Sequence, residues 1–254
     1  MNDLVSIITP MYNSQKYIEE MLKSVINQSY SNWELIIVDD CSIDDSCKIV
    51  EKYSKFDKRI KLIKQKKNKG PAESRNIAIK ISKGRYIAFL DSDDLWHKKK
   101  LEVQINYMLD KSIALTCTSY EMVSEDFSKS YGIFRVKNKI KYSDMLKKNY
   151  FSCDTVVVDK YKVNNIFMEN FEKHEDYVTW LKYLKETEFA YGIDKVLAYY
   201  RISNNSRSSN KFSNIKPLFK IYYNIEELGI IKTIKYLLLY CINAILKYKV
   251  KLIK

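Results

Sequence analysis

Three carboxylates, Asp91, Asp93 and Asp94, stand around a single serine, Ser92, at the end of the apolar run Tyr86-Ile87-Ala88-Phe89-Leu90. Like charges this close repel unless a cation sits among them. A hard divalent cation with a diphosphate beyond it meets that need, because Mg²⁺ or Mn²⁺ takes oxygen ligands and often binds through one or two carboxylates plus substrate phosphates. The competing reading is a solvated acidic turn opening a helix, where aspartates are favourable in any case. The elements that deliver other polar groups to the same place decide between the two.

Leu4-Val5-Ser6-Ile7-Ile8-Thr9 reads as a buried strand, broken by Pro10-Met11-Tyr12-Asn13-Ser14. A helix follows from about Gln15 to Gln28, with Ile18, Met21, Leu22, Val25 and Ile26 at helical spacing. A second strand, Glu34 to Val38, ends in Asp39-Asp40-Cys41-Ser42, and Asp44 or Asp45 can cap the next helix. Ile60 to Ile63 is a third strand. Gly70 turns the chain and Pro71 suits the first position of another helix. The strand that ends at Asp91 comes next. This β-α-β-α-β-α-β order of unbroken apolar strands and amphipathic helices predicts a mostly parallel sheet covered on both faces. Ligands of such sheets bind outside the carboxyl ends of the strands. The groups after Thr9, Asp39-Asp40 and Asp91-Ser92-Asp93 therefore share one rim, which favours a metal and diphosphate site over an isolated acidic turn.

The second half is less regular. Strands are expected at 113–120, 154–158 and 196–201, a short helix from Tyr142, and a helix after His174-Glu175-Asp176 that carries Val178, Trp180, Leu181 and Leu184. Residues 121–150 show no clear pattern.

Composition narrows the class. No GxGxxG or GxxxxGK[ST] loop follows any strand, which argues against a dinucleotide oxidoreductase or a P-loop NTPase. Five cysteines without a CxxC pair argue against a disulfide framework or a zinc site, and suit a reducing compartment. The chain enters its first strand at Leu4, so no signal peptide is expected. No stretch reaches the roughly 18 uncharged apolar residues of a spanning helix. The net charge of +13 is uneven: residues 201–254 hold 11 Lys and Arg against 2 Asp and Glu.

Together these residues resemble the family 2 inverting glycosyltransferases with the GT-A fold, of the bacterial O-antigen and capsule type. The resemblance covers Leu4 to Ser209. It rests on Val5-Ser6-Ile7-Ile8-Thr9-Pro10-Met11-Tyr12-Asn13, Leu35-Ile36-Ile37-Val38-Asp39-Asp40-Cys41-Ser42, Gly70-Pro71-Ala72-Glu73-Ser74-Arg75-Asn76, the Gly84 to Asp94 segment and His174-Glu175-Asp176, in that order. It implies an α/β fold with a Rossmann-like, mostly parallel sheet and a basic helical C-terminal tail. Residues 1–105 would be the nucleotide-sugar half of one GT-A domain, 106–210 its acceptor and catalytic-base half, and 211–254 the tail.

The resemblance further implies inverting transfer from a UDP-sugar with Mn²⁺ or Mg²⁺. Pro10, Tyr12, Asp39, Arg75, Asp91 and Ser92 would bind the nucleotide, with Asp39 on the uracil ring and Tyr12 beside it. Asp93 would hold the metal, with Asp91 on the ribose or the metal. Asp176 matches the catalytic base, with Glu175 as its neighbour or substitute. Arg201, Ser206 and Ser208 match a segment that closes over the diphosphate in relatives. Trp180 reads either as core or as an acceptor platform. A metal suits the developing charge of a leaving diphosphate, and a base within hydrogen-bond reach suits a hydroxyl nucleophile.

The tail has an apolar centre, Tyr236 to Leu246, bracketed by lysines 232, 235, 247, 249, 251 and 254. It reads as an interfacial helix that touches anionic lipid, or else as a helix packed on the domain. Peripheral contact with the inner face of the plasma membrane fits a saccharide acceptor linked through diphosphate to a polyprenol. Transfer to protein or teichoic acid is the alternative. Nucleic-acid binding is not expected, because the lysines flank a greasy centre rather than interleave with an aromatic groove.

Overall fold

The computed structural model describes residues 3–202 and 215–249, the side chains of 245–249 apart. The first seven elements alternate: β1 (Val5–Met11), α1 (Ile18–Ile26), β2 (Trp33–Asp39), α2 (Ser46–Phe56), β3 (Ile60–Lys64), α3 (Pro71–Ile81) and β4 (Tyr86–Phe89). Strands β1, β2 and β4 are almost wholly buried, as unbroken apolar runs covered on both faces must be. Helix α1 buries Ile18, Met21, Leu22 and Val25, the stripe that its spacing requires. Gly70 takes φ +87°, which a side chain resists, and hands the chain to Pro71 at the start of α3.

The second half holds β5 (Leu95–Trp96), α4 (Lys100–Lys111), β6 (Leu115–Ser124), β7 (Ser130–Phe134), β8 (Lys139–Ile140), α5 (Tyr142–Met145) and a 3-10 turn over Cys153–Thr155. Then come β9 (Val157–Asp159), α6 (Glu175–Thr187), β10 (Ala190–Ile202), α7 (Ile215–Lys220), a π-helical turn over Ile221–Ile225, and α8 (Gly229–Lys249).

The ten strands among the described residues form one sheet, with the path β3-β2-β1-β4-β9-β6-β10-β5, while β7 pairs with β6 and β8 with β10. Strands β3, β2, β1 and β4 are mutually parallel, and β6 is parallel to β10. Strand β9 lies antiparallel between β4 and β6. The parallel character is thus that of the first half, and the second half is mixed. Helix α4 had no counterpart in the sequence reading. Its inner face carries Lys100 and Gln104 beside Leu101, Ile105 and Met108, and the buried polar pair blurs the apolar period.

Helix α8 does pack on the domain. Tyr240 lies edge-on to Tyr177 with 5.8 Å between ring centres, Tyr236 and Leu237 lean on the core, and Asn243 Nδ2 donates to the Lys147 carbonyl (3.2 Å). Its opposite face presents Ile231, Ile234, Leu238 and Ile242 to solvent, with Ile231 81% and Leu238 59% exposed. Among the described residues, no helix is long and apolar enough to cross a membrane.

Candidate active site

Because β1, β2 and β4 run parallel, their carboxyl ends meet at one rim, and the loops beyond them are laced together. Asn13 donates its N–H to Ser42 Oγ (2.9 Å) and accepts from the Ile43 N–H (3.0 Å). Ser14 donates its N–H to Ser46 Oγ (2.8 Å), and its hydroxyl lies 2.7 Å from that of Ser92. Tyr12, 51% exposed, stands at the mouth of this rim, and Pro10 lies within β1 beneath it.

The adjacent aspartates Asp39 and Asp40 divide their work. Asp40 accepts from the N–H groups of Lys69 and Gly70, both at 2.8 Å, and from Gln65 Nε2 at 2.9 Å. It thereby pins the turn that opens α3. The Asp39 carboxylate receives the long contacts of the Ser42 N–H, 3.2 and 3.4 Å, and the weak donor of the Cys47 thiol. It is buried beside the Cys47 thiol, whose pKa burial and the Asp39 charge push up to about 12. A carboxylate at a strand end, held by these weak donors alone among those described, keeps acceptor capacity for a base N–H of a nucleotide.

Helix α3 is aimed by that pinned turn and carries Arg75 into the site, 4% exposed. Arg75 Nη2 donates to Asp91 Oδ1 (2.6 Å) and Nη1 to Glu175 Oε1 (3.3 Å). One guanidinium therefore joins the acidic strand end to the first turn of α6. The next residue, Asn76, fastens the chain that leads to α6. Its Nδ2 donates to the Met168 carbonyl (2.9 Å), and its Oδ1 accepts from the Met168 N–H (2.6 Å).

The acidic cluster carries more negative charge than its surroundings balance. Burial and the Asp91 charge push the Asp93 carboxyl up to about 6. Burial, then Asp93, pushes Asp94 well above the usual carboxylate range. Asp94 is buried and accepts from the Arg201 N–H (2.8 Å), so it ties the acidic loop to the end of β10. Asp93 and Asp91 form an all-oxygen donor set at a strand end, which fits a hard divalent cation. Among the described residues, no three His, Cys, Asp or Glu side chains converge into a complete metal cage. A site completed by substrate phosphates needs only one or two carboxylates.

Asp176 lies in the first turn of α6. Burial, then the neighbouring Glu175 charge, pushes its carboxyl up to about 7, while Arg75 and the Tyr177 N–H (2.8 Å) pull the other way. A carboxylate poised near neutrality can take a proton from a hydroxyl.

The structure brings Tyr12, Asp39, Arg75, Asp91, Ser92, Asp93, Glu175 and Asp176 to this rim. Trp180 is elsewhere. It is fully buried, edge-on to Phe89, Phe151 and Tyr183, so it is core and offers no face to an acceptor. Arg201 is also enclosed. Its guanidinium donates to Glu20 Oε2 (2.6 Å) and to the Glu125 carbonyl (2.9 Å), and it lies against the Tyr17 and Phe127 rings. Ser206 and Ser208 lie outside the described residues. The reading of the sequence passed over Asp40, Asn76 and Ser14 as supports. Asn76 directly follows Arg75 in the quoted motif, but its role depends on Met168, 92 residues away.

The chain matches the model of Glycosyl transferase family 2 over residues 6–189 and belongs to that family. A Bacillus subtilis (strain 168) glycosyltransferase named for teichuronic acid biosynthesis, TuaG, is 41% identical over 96% of this chain and 97% of its own length. The Escherichia coli UDP-Glc:alpha-D-GlcNAc-diphosphoundecaprenol beta-1,3-glucosyltransferases WfgD and WfaP are 40% and 38% identical over 89% and 97% of this chain, and 93% and 96% of theirs. The crystal structure of S. aureus TarS 1-349 in complex with UDP-GlcNAc superposes with a TM-score of 0.72 at 24% identity, over 85% of this chain and 65% of that one. That likeness establishes the GT-A fold.

Proposed function

We propose that the protein transfers a hexose or N-acetylhexosamine, with inversion, from a UDP-sugar to a saccharide linked through diphosphate to a polyprenol. The transfer would take place at the cytoplasmic surface of the plasma membrane, in the assembly of a surface polysaccharide. The observation that carries this reading is Arg75, which joins Asp91 of the acidic strand end to Glu175, the neighbour of Asp176. The activities for which WfgD and WfaP are named support the acceptor class and glucose as the first donor to try.

In this reading Asp39 accepts from the uracil ring, and Tyr12 flanks it. Asp93 and Asp91 would hold Mn²⁺ or Mg²⁺. The bound cation supplies Lewis-acid stabilisation of the leaving diphosphate. Arg75 keeps Asp91 and Glu175 in fixed positions as charge builds. Asp176 Oδ takes the proton of the acceptor hydroxyl while that oxygen attacks the sugar's anomeric carbon. The bond to the diphosphate breaks as the new bond forms, so the carbon inverts in one displacement. A UDP-sugar with an α-linkage yields a β-glycoside. One base suffices for this, whereas hydrolases ordinarily need a matched pair of carboxyl groups.

The outward stripe of α8, flanked by Lys232 and Lys235, supports peripheral contact with anionic lipid. Replacing Ile231 and Leu238 with aspartate should release the protein from phosphatidylglycerol vesicles, and undiminished pelleting would refute the contact. The likeness to TuaG favours a second reading, an acceptor belonging to a cell-wall polymer.

The test is thermal stabilisation by UDP and by a panel of UDP-sugars, with Mn²⁺ and with EDTA, followed by transfer to GlcNAc-diphosphate lipids. At about 100 times its Kd a ligand adds roughly 2.7 kcal/mol. A metal-dependent shift followed by product is the expected result. No shift with any UDP species would overturn the donor assignment.

A further inference from the structure

The 3-10 turn before β9 brings a fourth aspartate to the acidic strand end. The antiparallel ladder of β4 and β9 pairs Tyr86 with Asp159, Ile87 with Val158 and Ala88 with Val157. The Phe89 N–H carries the pairing one step further, onto the Val156 carbonyl (3.4 Å). Two more steps of that register set Asp91 against Asp154. Opposed residues of an antiparallel pair project to one face, and like charges there repel. The electrostatics agree with this placement. Burial pushes the Asp154 carboxyl up, the Ser152 hydroxyl and Lys100 pull it down, and the Asp91 charge pushes with burial. Asp94 is raised by burial, then by Asp93, and next by Asp154.

The turn is held from behind. Trp96 Nε1 donates to the Asp154 carbonyl (2.7 Å), Gln104 Nε2 to the Thr155 carbonyl (3.0 Å), and Thr155 Oγ1 to the Ser152 carbonyl (2.7 Å). Lys100 completes the unit, with its Nζ on Gln104 Oε1 (2.5 Å) and 4.2 Å from the centre of the Trp96 ring. Asp154 and Lys100 are both fully buried. Among the described residues, neither Asp154 oxygen has a hydrogen bond of good geometry. Burial lowers the Lys100 pKa, and the first charge to oppose that is Asp154.

A carboxylate shut away from water beside other carboxylates is a cost to the fold. Asparagine would fit the same place without the charge. A divalent cation at Asp91 and Asp93 reverses the balance, because charges act more strongly through a buried, poorly screened medium than through water. Full burial also keeps Asp154 from meeting an acceptor hydroxyl, so it is no second base.

We infer that Asp154 is a supporting carboxylate of the proposed cation site: from behind Asp91 it strengthens cation binding through its charge, and it lowers the stability of the cation-free fold. This rests on the metal reading of Asp91 and Asp93 above.

The experiment uses the full chain and the variants Asp154→Asn and Asp154→Leu. The Kd of Mn²⁺ is measured with UDP saturating, UDP binding is measured in EDTA, and melting points are taken in EDTA. In both variants Mn²⁺ binding should weaken roughly tenfold, at the low end of what loss of an outer-shell partner costs a metal site. UDP binding in EDTA should hold, and the EDTA melting point should equal or exceed that of the unaltered protein. Unchanged Mn²⁺ affinity would overturn the inference. So would a lower EDTA melting point in both variants, which would make Asp154 a structural carboxylate. Loss of transfer with Mn²⁺ binding intact would overturn it too, by giving Asp154 a part in the chemistry. If the unaltered protein binds no Mn²⁺, the metal reading falls and takes this inference with it. Equal binding in all three proteins would remove the inference alone.

Discussion

The half of the rim proposed to hold the nucleotide arrives on the ends of parallel strands, whereas the half with the proposed base arrives at the start of a helix that no strand end aligns. Asp39 and Asp91 need only β2 and β4 to be parallel and in register with β1. Asp176 needs α6 to be placed by particular contacts: Asn76 on Met168, Thr179 Oγ1 on the Glu169 N–H (2.9 Å), and Tyr177 on Tyr222. Topology positions Asp39 and Asp91, and individual side chains position Asp176. Arg75 belongs to both regimes, since it sits on a helix of the parallel half and grips a carboxylate of each.

Four changes test that division. Asp176→Asn removes the proposed base alone. It should lower kcat by roughly 10²–10⁴-fold while UDP binding holds, as measured by single-turnover transfer and UDP titration. Loss of UDP binding in the same variant would break the division. Arg75→Ala leaves Asp91 and Glu175 without their shared cation. Breaking a buried pair from one side costs roughly 3–5 kcal/mol, so the denaturation midpoint should fall, and fall further than for a substitution confined to either half. Asp93→Ala should erase the Mn²⁺-dependent part of UDP stabilisation, roughly 2.7 kcal/mol at about 100 times Kd, and leave the metal-free melting point close to that of the unaltered protein. Normal metal-dependent binding there would refute the metal role.

The smallest effect is one of pH. Asp176 sits at about 7 and Asp93 at about 6, both raised first by burial, against about 3.9 in an unfolded chain. Below the unfolded value both states hold these protons, and the two groups leave stability unchanged. Between there and about pH 7 the native protein binds more protons than the unfolded one, so stability falls as pH rises through this range. Melting points of the metal-free protein from pH 5 to 7 should decline, and Asp176→Asn should flatten the decline.

The same division explains what the sequence disclosed. The elements of the parallel half were legible to within a few residues because unbroken apolar strands and amphipathic helices advertise themselves through period alone. The placement of Asp39, Asp91 and Asp93 at one rim followed, since a strand's end is fixed once the strand is. Asp176 was found through its motif, and its partners were not. The Arg75 to Glu175 contact spans 100 residues of chain, and no local pattern encodes it. Trp180 could not be assigned from spacing, because a helix in contact on several sides has no bare face to betray its direction. Helix α4 was missed for a related reason. Lys100 stacks over the Trp96 ring at 4.2 Å and donates to Gln104 Oε1 (2.5 Å), so a buried position wears a surface residue's identity.

Strand β4 is interior to the sheet only because β9 reaches back to pair with it. On the ribosome β4 emerges about 70 residues before β9, an interval of several seconds at roughly 5–20 residues per second. For that time a finished parallel sheet would show a bare row of N–H and C=O groups along β4, the kind of edge that recruits another chain. A message broken between the two strands would make that exposure permanent. Its product would carry every nucleotide-binding residue proposed here and would be prone to aggregate.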